Sequence, residues 1–345
     1  MASATPAASG GVGEGIPIAE PARIGIIMDS RAIITRDLCK DFRVGFAMHI
    51  SRVLHTLNLE VRRGEIFGYL GPNGAGKTTT IKLLMGLIFP SSGQISLLGE
   101  EIDRREVRSR IGFLPENPYF YDHLTGWELM DYCGRLVGMD KQARNSRITE
   151  LLQRVGVREA ADTPLRKYSK GMVQRIGLAQ ALIGHPELVI LDEPMSGLDP
   201  IGRKEMRDLI LSLKGEGKTI FFSSHILPDV EMICDRVGIL IDGRLKEVGV
   251  LEELLEARVE SIEITVRGTN LHVISRLHLP LSSPPLQRGG KILLSVSHEE
   301  ALHDALSRLM QEGVPILSIV PQKETLEEYF LKEVQRSPRP ERDGK

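Results

Sequence analysis

The stretch Glu65-Ile66-Phe67-Gly68-Tyr69-Leu70-Gly71-Pro72-Asn73-Gly74-Ala75-Gly76-Lys77-Thr78-Thr79 decides how the rest of the chain is read. Its first six residues form a short apolar run of the kind buried in a parallel sheet. The eight from Gly71 to Thr78 fit the GxxxxGK[ST] phosphate-loop pattern. Beyond them Ile81, Leu84, Met85 and Ile88 recur on one face of a helix, so strand, loop and helix stand in the required order. Glycines let backbone N–H groups turn inward around phosphate oxygens, and the helix N-terminus adds partial positive charge. Lys77 then reaches the β- and γ-phosphates, and the Thr78 hydroxyl helps to hold Mg²⁺. At average residue frequencies a chain of this length carries about 0.02 matches to the pattern by chance. Gly71, Pro72, Asn73, Gly74, Ala75, Gly76, Lys77, Thr78 and Thr79 are therefore candidate nucleotide-binding residues.

Downstream, Leu188-Val189-Ile190-Leu191-Asp192-Glu193 is a buried-type strand ending in two carboxylates. Asp192 would fix Mg²⁺ through water, and Glu193 would polarise the water that attacks the γ-phosphate. Further apolar runs at 219–223 and 237–241 alternate with amphipathic helices. One such helix follows Pro200, with Asp199 as N-cap, Met206, Leu209, Ile210 and Leu213 on one face, and Gly215 as its stop. Another opens at Thr125, with Glu128 at capping-box spacing, and carries Trp127, Met130 and Leu136. Asp242-Gly243 reads as a hairpin turn. This βαβα alternation predicts an α/β fold built on a parallel sheet.

The 345 residues carry 44 basic and 46 acidic side chains, a formal net charge of −2, which argues against wholesale neutralisation of nucleic-acid phosphates. The longest run without a charge, 83–99, is interrupted by Pro90 and Gly93 and falls short of a membrane span. Three widely spaced cysteines, Cys39, Cys133 and Cys234, suggest neither a disulfide framework nor a zinc site. Arg104, Arg105, Arg108 and Arg110 are interleaved with Glu101, Asp103 and Glu106 and read as a solvated, ion-paired surface.

Residues 1–30 are expected to be a disordered tail, 31–250 a nucleotide-binding domain, 258–335 a small α+β accessory domain, and 336–345 a second tail. In the accessory unit Ile262, Ile264 and Val266 alternate as a strand, and 279–291 reads as a Pro-, Ser- and Gly-rich loop. Strands are expected at 292–296 and 315–320, with a helix between them on which Leu302, Ala305, Leu306 and Leu309 share a face.

Further motifs follow in a set order, and on them the chain resembles the ATP-binding cassette (ABC) superfamily. Tyr168-Ser169-Lys170-Gly171-Met172-Val173-Gln174-Arg175 is similar to the LSGGQxQR signature, and Ser196-Gly197-Leu198-Asp199 resembles the D-loop. His225, after the strand 219–223, matches the switch histidine. Glu116 stands where the family has its Q-loop glutamine, and Phe42 where it has an adenine-stacking aromatic. The resemblance spans about 33–249. It implies a P-loop NTPase cassette with a parallel core plus antiparallel β and helical subdomains. It also implies a head-to-tail homodimer or paired cassette, in which ATP on one phosphate loop is capped in trans by Ser169 and Gly171, with Asp199 at the interface. Glu193, His225, Lys77 and Glu116 are then the expected catalytic residues, and Thr78, Asp192 and Glu116 the expected Mg²⁺ ligands.

Three residues depart from the family pattern. Glu116 brings a carboxylate where an amide is usual, Lys170 replaces the first signature glycine, and Met172 replaces the glutamine. These, and the ending Thr325-Leu326-Glu327-Glu328-Tyr329-Phe330-Leu331, are similar to bacterial drug- and lipid-exporter ATPases of the ABC-2 type. The resemblance thus implies an exporter ATPase, peripheral on the cytoplasmic face of the membrane through a separate integral permease. The helical stretch holding Trp127, Leu129, Met130, Tyr132 and Leu136 would receive that partner, although most of these residues read better as core. A soluble ABC ATPase of translation or DNA repair is the alternative, and a small GTPase or nucleotide kinase shares only the phosphate loop.

Overall fold

The computed structural model describes residues 30–45, 49–102, 104–256 and 259–323. The expected tails, except Ser30, and the ending 325–331 lie outside them. A six-stranded sheet carries the site. Its strands β3 (Ile66–Leu70), β6 (Ile111–Leu114), β7 (Leu188–Asp192), β8 (Thr219–Ser224), β9 (Arg236–Ile241) and β10 (Arg244–Val250) run in the order β10-β9-β3-β8-β7-β6. All neighbours are parallel except the β9–β10 hairpin. Strands β3, β7 and β8 are buried along their whole length, which is why they read as unbroken apolar runs rather than alternating ones.

A second, antiparallel sheet of β1 (Arg31–Val44), β2 (His49–Arg62), β4 (Ser92–Leu97) and β5 (Glu100–Glu101) has the order β2-β1-β4-β5. Its inward residues Ile33, Leu38, Leu57, Leu59 and Val61 share one core with Phe67, Tyr69 and Phe221 of the parallel sheet and with Ile81 and Leu84 of α1 (Lys77–Leu84). A distinct core joins the parallel sheet to α3 (Gly126–Leu136), α4 (Lys141–Arg154), α5 (Lys170–Leu182) and α6 (Pro200–Gly215). The short α2 (Arg105–Arg108) precedes β6, α7 (Leu227–Ile233) precedes β9, and α8 (Leu251–Glu256) follows β10.

Local chemistry sets these boundaries. Thr125 and Glu128 form the capping box of α3, the Thr125 hydroxyl accepting from the Glu128 amide at 3.2 Å and the Glu128 carboxylate from the Thr125 amide at 2.9 Å. Asp199 caps α6 by accepting from the Gly202 amide at 2.7 Å. At the β9–β10 turn Asp242 and Gly243 both take positive φ, 48° and 69°. A side chain at Gly243 would collide with the Val53 carbonyl, so close approach as well as turn geometry demands glycine there. The Gly243 amide in turn donates to the Ala75 carbonyl at 3.0 Å, bracing the end of the phosphate loop.

The remaining described elements are β11 (Val259–Arg267), α9 (Leu271–Arg276), β12 (Leu286–Arg288), β13 (Lys291–Val296), α10 (Glu299–Gln311) and β14 (Ile316–Lys323). Their βαββαβ order and the antiparallel arrangement β12-β13-β11-β14 make the split βαβ topology of ferredoxin-like units. Ile264, Val266, Ile292, Leu294, Ala305 and Leu309 fill its own core. Two features differ from the sequence reading. The 279–291 loop contains β12, whose three residues are all exposed and carry no alternation, and α9 was missed because it buries only Ile274.

Candidate functional site

The phosphate loop joins β3 to α1 as the motif requires, and its conformation depends on glycine. Gly74 and Gly76 have φ of +83° and +109°, and a Cβ on Gly71 would lie 2.5 Å from the Leu240 carbonyl oxygen. The Lys77 ammonium turns back into the loop, donating to the Gly71 carbonyl at 2.7 Å, and its Nζ lies 3.2 Å from Glu193 Oε1. Both members of that pair are 7% exposed. The loop encloses one side of a cavity of about 520 Å³ lined by Asn73, Gly74, Lys77, Thr78, Glu116 and Glu193, among others. That volume is within the usual range for small-molecule sites.

Asp192 and Glu193 end β7, and the neighbouring strand β8 supplies the group that joins them. Ser223, fully buried, donates from Oγ to Asp192 Oδ1 at 2.6 Å and accepts from the Glu193 amide at 3.0 Å. The Thr78 hydroxyl reaches the same Oδ1 at 3.5 Å, so the phosphate loop and β7 converge on one point. Burial raises the Asp192 pKa above the ordinary carboxylate value, against the lowering effect of the Ser223 and Thr78 hydrogen bonds. Glu193 sits at φ 48°, a left-handed backbone that a non-glycine residue adopts at a cost of about 1–2 kcal/mol. His225, just past β8, completes the group with Nδ1 2.8 Å from Glu193 Oε2.

The cavity fits a nucleoside triphosphate with its metal. It pairs a buried ammonium and a glycine-dependent anion cradle with the Thr78 hydroxyl, while the Asp192 carboxylate lies 3.5 Å from that hydroxyl, off the lining. Among the described residues no set of three or more His, Cys, Asp or Glu could bind a metal ion unaided. Thr78, Asp192 and Glu116 would instead complete a shell that phosphate oxygens begin, the usual arrangement for Mg²⁺.

The other sequence candidates are distributed differently. Pro72, Asn73, Gly74, Gly76, Thr78, Thr79, Glu116 and His225 line the cavity, whereas Gly71 and Ala75 form the buried wall behind it. Ser169, Gly171, Asp199 and Phe42 do not line it. Ser169 is exposed at the start of α5, accepting from the Met172 amide, and Asp199 spends its carboxylate on capping α6. Phe42 is exposed on β1 with the Lys40 ammonium 4.9 Å from its ring centre. Lys170 packs its ammonium against Gly197 of the D-loop stretch, and Met172 packs against the core beside α5.

Sequence reasoning gave no site role to Val53 or Ser223, and named Ser196 and Gln174 only as members of the D-loop and signature motifs. Val53 and Ser196 line the cavity. Gln174, 1% exposed on α5, donates from Nε2 to the Glu116 carbonyl at 2.8 Å and so ties the signature helix to the Q-loop position. For Ser223 and Gln174 the available signal was a polar residue inside an otherwise apolar element.

A family profile described as "ABC transporter" matches residues 54–196. An ABC transporter ATP-binding protein of Synechocystis, itself uncharacterised, is 45% identical over 89% of this chain and 86% of its own length. This chain belongs to the ATP-binding cassette family. The bacitracin transport ATP-binding protein of Bacillus licheniformis is 40% identical over 80% of this chain and 90% of its own. A solved ATP-binding subunit of an ABC transporter superposes with a TM-score of 0.58 at 31% identity, over 65% of this chain and 91% of its own. The cassette is thus an ATP-binding, ATP-hydrolysing subunit of an ABC transporter, a class that requires Mg²⁺, dimerises and works with separate permeases. A role in translation or DNA repair finds no support in these relatives.

Among the described residues no helix is long and apolar enough to cross a membrane. Two arginines of the cluster form ion pairs among the described residues. Arg104 and Arg110 meet Glu100, and Arg110 also meets Glu187 at 2.6 Å. Leu129 and Met130 of α3 are core, whereas Tyr132 and Leu136 are exposed, as are Tyr119 and Tyr121.

Proposed function

We propose that two copies of the cassette close head to tail over two MgATP molecules and drive export through a separate membrane-spanning permease. The observation that carries this reading is the separation of parts within one chain. Lys77, Glu193, Glu116 and His225 meet at the cavity, while Ser169 and Gly171 lie outside it, with Ser169 exposed. A second copy would bring its own Ser169 and Gly171 to the open side. The peripheral position on the cytoplasmic face follows from the permease partner, with the exposed Tyr119, Tyr121, Tyr132 and Leu136 offering it an apolar surface. Export as the direction rests on subgroup resemblance and on the bacitracin transport relative. No nucleic-acid partner is part of the reading. The domain division at about 250–258 is likewise proposed, with 258–335 as an accessory unit.

In this scheme Lys77 leaves Glu193 for the phosphates, and the freed carboxylate accepts a proton from the attacking water. The Nδ1 of His225 holds Glu193 in place, and Phe42 stacks on the adenine. When bound, Mg²⁺ supplies positive charge to the β- and γ-phosphate oxygens. Expressing the chain with its genomic neighbours and purifying from detergent-solubilised membranes tests the proposal. An integral membrane protein should co-purify, and ATP should convert the hydrolysis-deficient Glu193→Gln variant to a dimer on size-exclusion chromatography. A variant that stays monomeric in saturating MgATP would refute the closure.

A further inference from the structure

We infer that Ser223 is a positioning residue for ATP hydrolysis, a single hydroxyl that sets the metal-binding carboxylate and the general base together. The inference rests on the reading of Asp192 and Glu193 given above. It starts from donor and acceptor counting. A serine hydroxyl has one proton to give. The Glu193 N–H can only donate, so Ser223 Oγ accepts from it at 3.0 Å, and the hydroxyl proton is left for Asp192 Oδ1 at 2.6 Å. That second bond is short, as expected when a hydroxyl meets an ionised carboxylate.

Each end of this bridge bears on a different part of the chemistry. At Asp192 it fixes the carboxylate in a buried setting, where the other hydroxyl on the same oxygen, Thr78, is 3.5 Å away. At Glu193 it holds the amide of a residue whose φ of 48° is unfavourable for any side chain. Releasing that amide lets the backbone relax and swings the carboxylate away from Lys77 and His225, which it meets at 3.2 and 2.8 Å. Ser223 lies on β8, paired with Asp192 on β7, so its placement is set by sheet register rather than by a loop. Its side chain is wholly buried, does not line the cavity, and therefore acts through its two neighbours.

Four variants test this. Ser223→Ala removes the hydroxyl without adding volume, and Ser223→Cys keeps the size with a weak donor. Thr and Val at this position are equal in shape, so Ser223→Thr against Ser223→Val isolates the hydroxyl from any packing cost. A fluorescent ATP analogue in EDTA reports whether the phosphate loop is intact, and titrating Mg²⁺ into that complex reads the metal site without turnover. Ser223→Ala and Ser223→Val should bind the analogue in EDTA at least as tightly as wild type does. They should also need about tenfold more Mg²⁺ and lose about 10–100-fold in kcat, with KM for ATP within about threefold. Ser223→Thr should stay well above Ser223→Val on both readouts, and Ser223→Cys should lie between wild type and Ser223→Ala. Equal kcat and equal Mg²⁺ dependence for Thr and Val would overturn the inference. If both fail to fold, wild-type values for Ser223→Ala would do the same. Glu193→Gln is carried as a control. Normal turnover there removes the reading of the base itself, whereas a stalled Glu193→Gln beside a normal Ser223→Ala removes only the role of the serine.

Discussion

Replacing Glu193 by glutamine takes one charge out of a pair buried on both sides. Lys77 Nζ and Glu193 Oε1 are 3.2 Å apart with both side chains 7% exposed. At an effective dielectric of ~20 their Coulomb attraction is about 5 kcal/mol. Desolvation of both groups offsets much of it. The lysine also keeps its 2.7 Å bond to the Gly71 carbonyl, and a glutamine oxygen can still accept from it. The net change is therefore the difference between an ion-paired hydrogen bond and one in which only the donor is charged, about 1–2 kcal/mol.

ATP binding must turn the Lys77 ammonium from Glu193 toward the phosphates, so wild type loses this interaction on binding and the variant has less to lose. Glu193→Gln should consequently bind ATP about 5–30-fold more tightly. Its turnover should fall by ~10²–10⁴, the contribution of a general base. Affinity is measured by fluorescent-nucleotide titration without Mg²⁺ and at protein concentrations too low for dimerisation, so that closure cannot mimic the effect. Turnover is measured as phosphate release. Equal or weaker ATP binding in the variant would show that Lys77 and Glu193 do not compete in this way, even if hydrolysis is lost.

Lys77→Ala should abolish measurable nucleotide binding, because the phosphates lose their buried cation; titration with the same analogue checks it. Asp192 has a pKa raised by burial, so its charge costs stability, fully above its folded pKa and not at all below its unfolded one. Asp192→Asn should therefore melt about 2–4 °C higher than wild type at pH 8 without ligand, with the gain vanishing as the pH falls into the carboxylate range, and an unchanged or lower melting temperature would contradict it. Asp131 is the opposite case. Burial raises its pKa, but the hydrogen bonds from Arg144 and Arg135 outweigh that and leave it lowered. Its stabilisation of the α3–α4 pair is present above the unfolded value and lost as pH falls through the folded one. Asp131→Asn should cost about 1–3 kcal/mol in urea unfolding at pH 7, and the difference should close under acid conditions.

How much of this was legible in the sequence depended on whether the governing contacts were local. The phosphate loop is contiguous, and its glycines answer to their own φ values, so residues 71–78 could be read without knowing their neighbours. The same holds for the Thr125–Glu128 and Asp199 caps, whose partners lie three residues away. Burial on a helix was less legible. Trp127, Met130 and Leu136 share one segment, yet Met130 is buried and Leu136 exposed, because what packs on α3 comes from α4 and α5. Short elements that bury almost nothing, α9 and β12, left no pattern. Ser223 owes its place to pairing between β7 and β8, and Val53 lies at a register shift between β1 and β2, neither of which composition and spacing encode.

The departures from the family pattern also take their meaning from tertiary contacts. A lysine in the signature suggests a cation offered to a partner's phosphates, but Lys170 packs its ammonium against Gly197 of its own chain, where an added side chain would have to displace it. The positive φ of Gly197, 68°, independently favours glycine, so the D-loop stretch accommodates the lysine through both backbone conformation and space. Met172, where an amide is usual, loses a hydrogen-bonding group but packs on the core at the start of α5. Gln174 then connects that same helix to the Glu116 carbonyl. A shift of α5 on capping a second copy's nucleotide would therefore reach Gly197 through Lys170 and Glu116 through Gln174. Side chains of that one helix contact both Gly197 and the Glu116 carbonyl, so coupling between these positions would not require Lys170 to touch a phosphate.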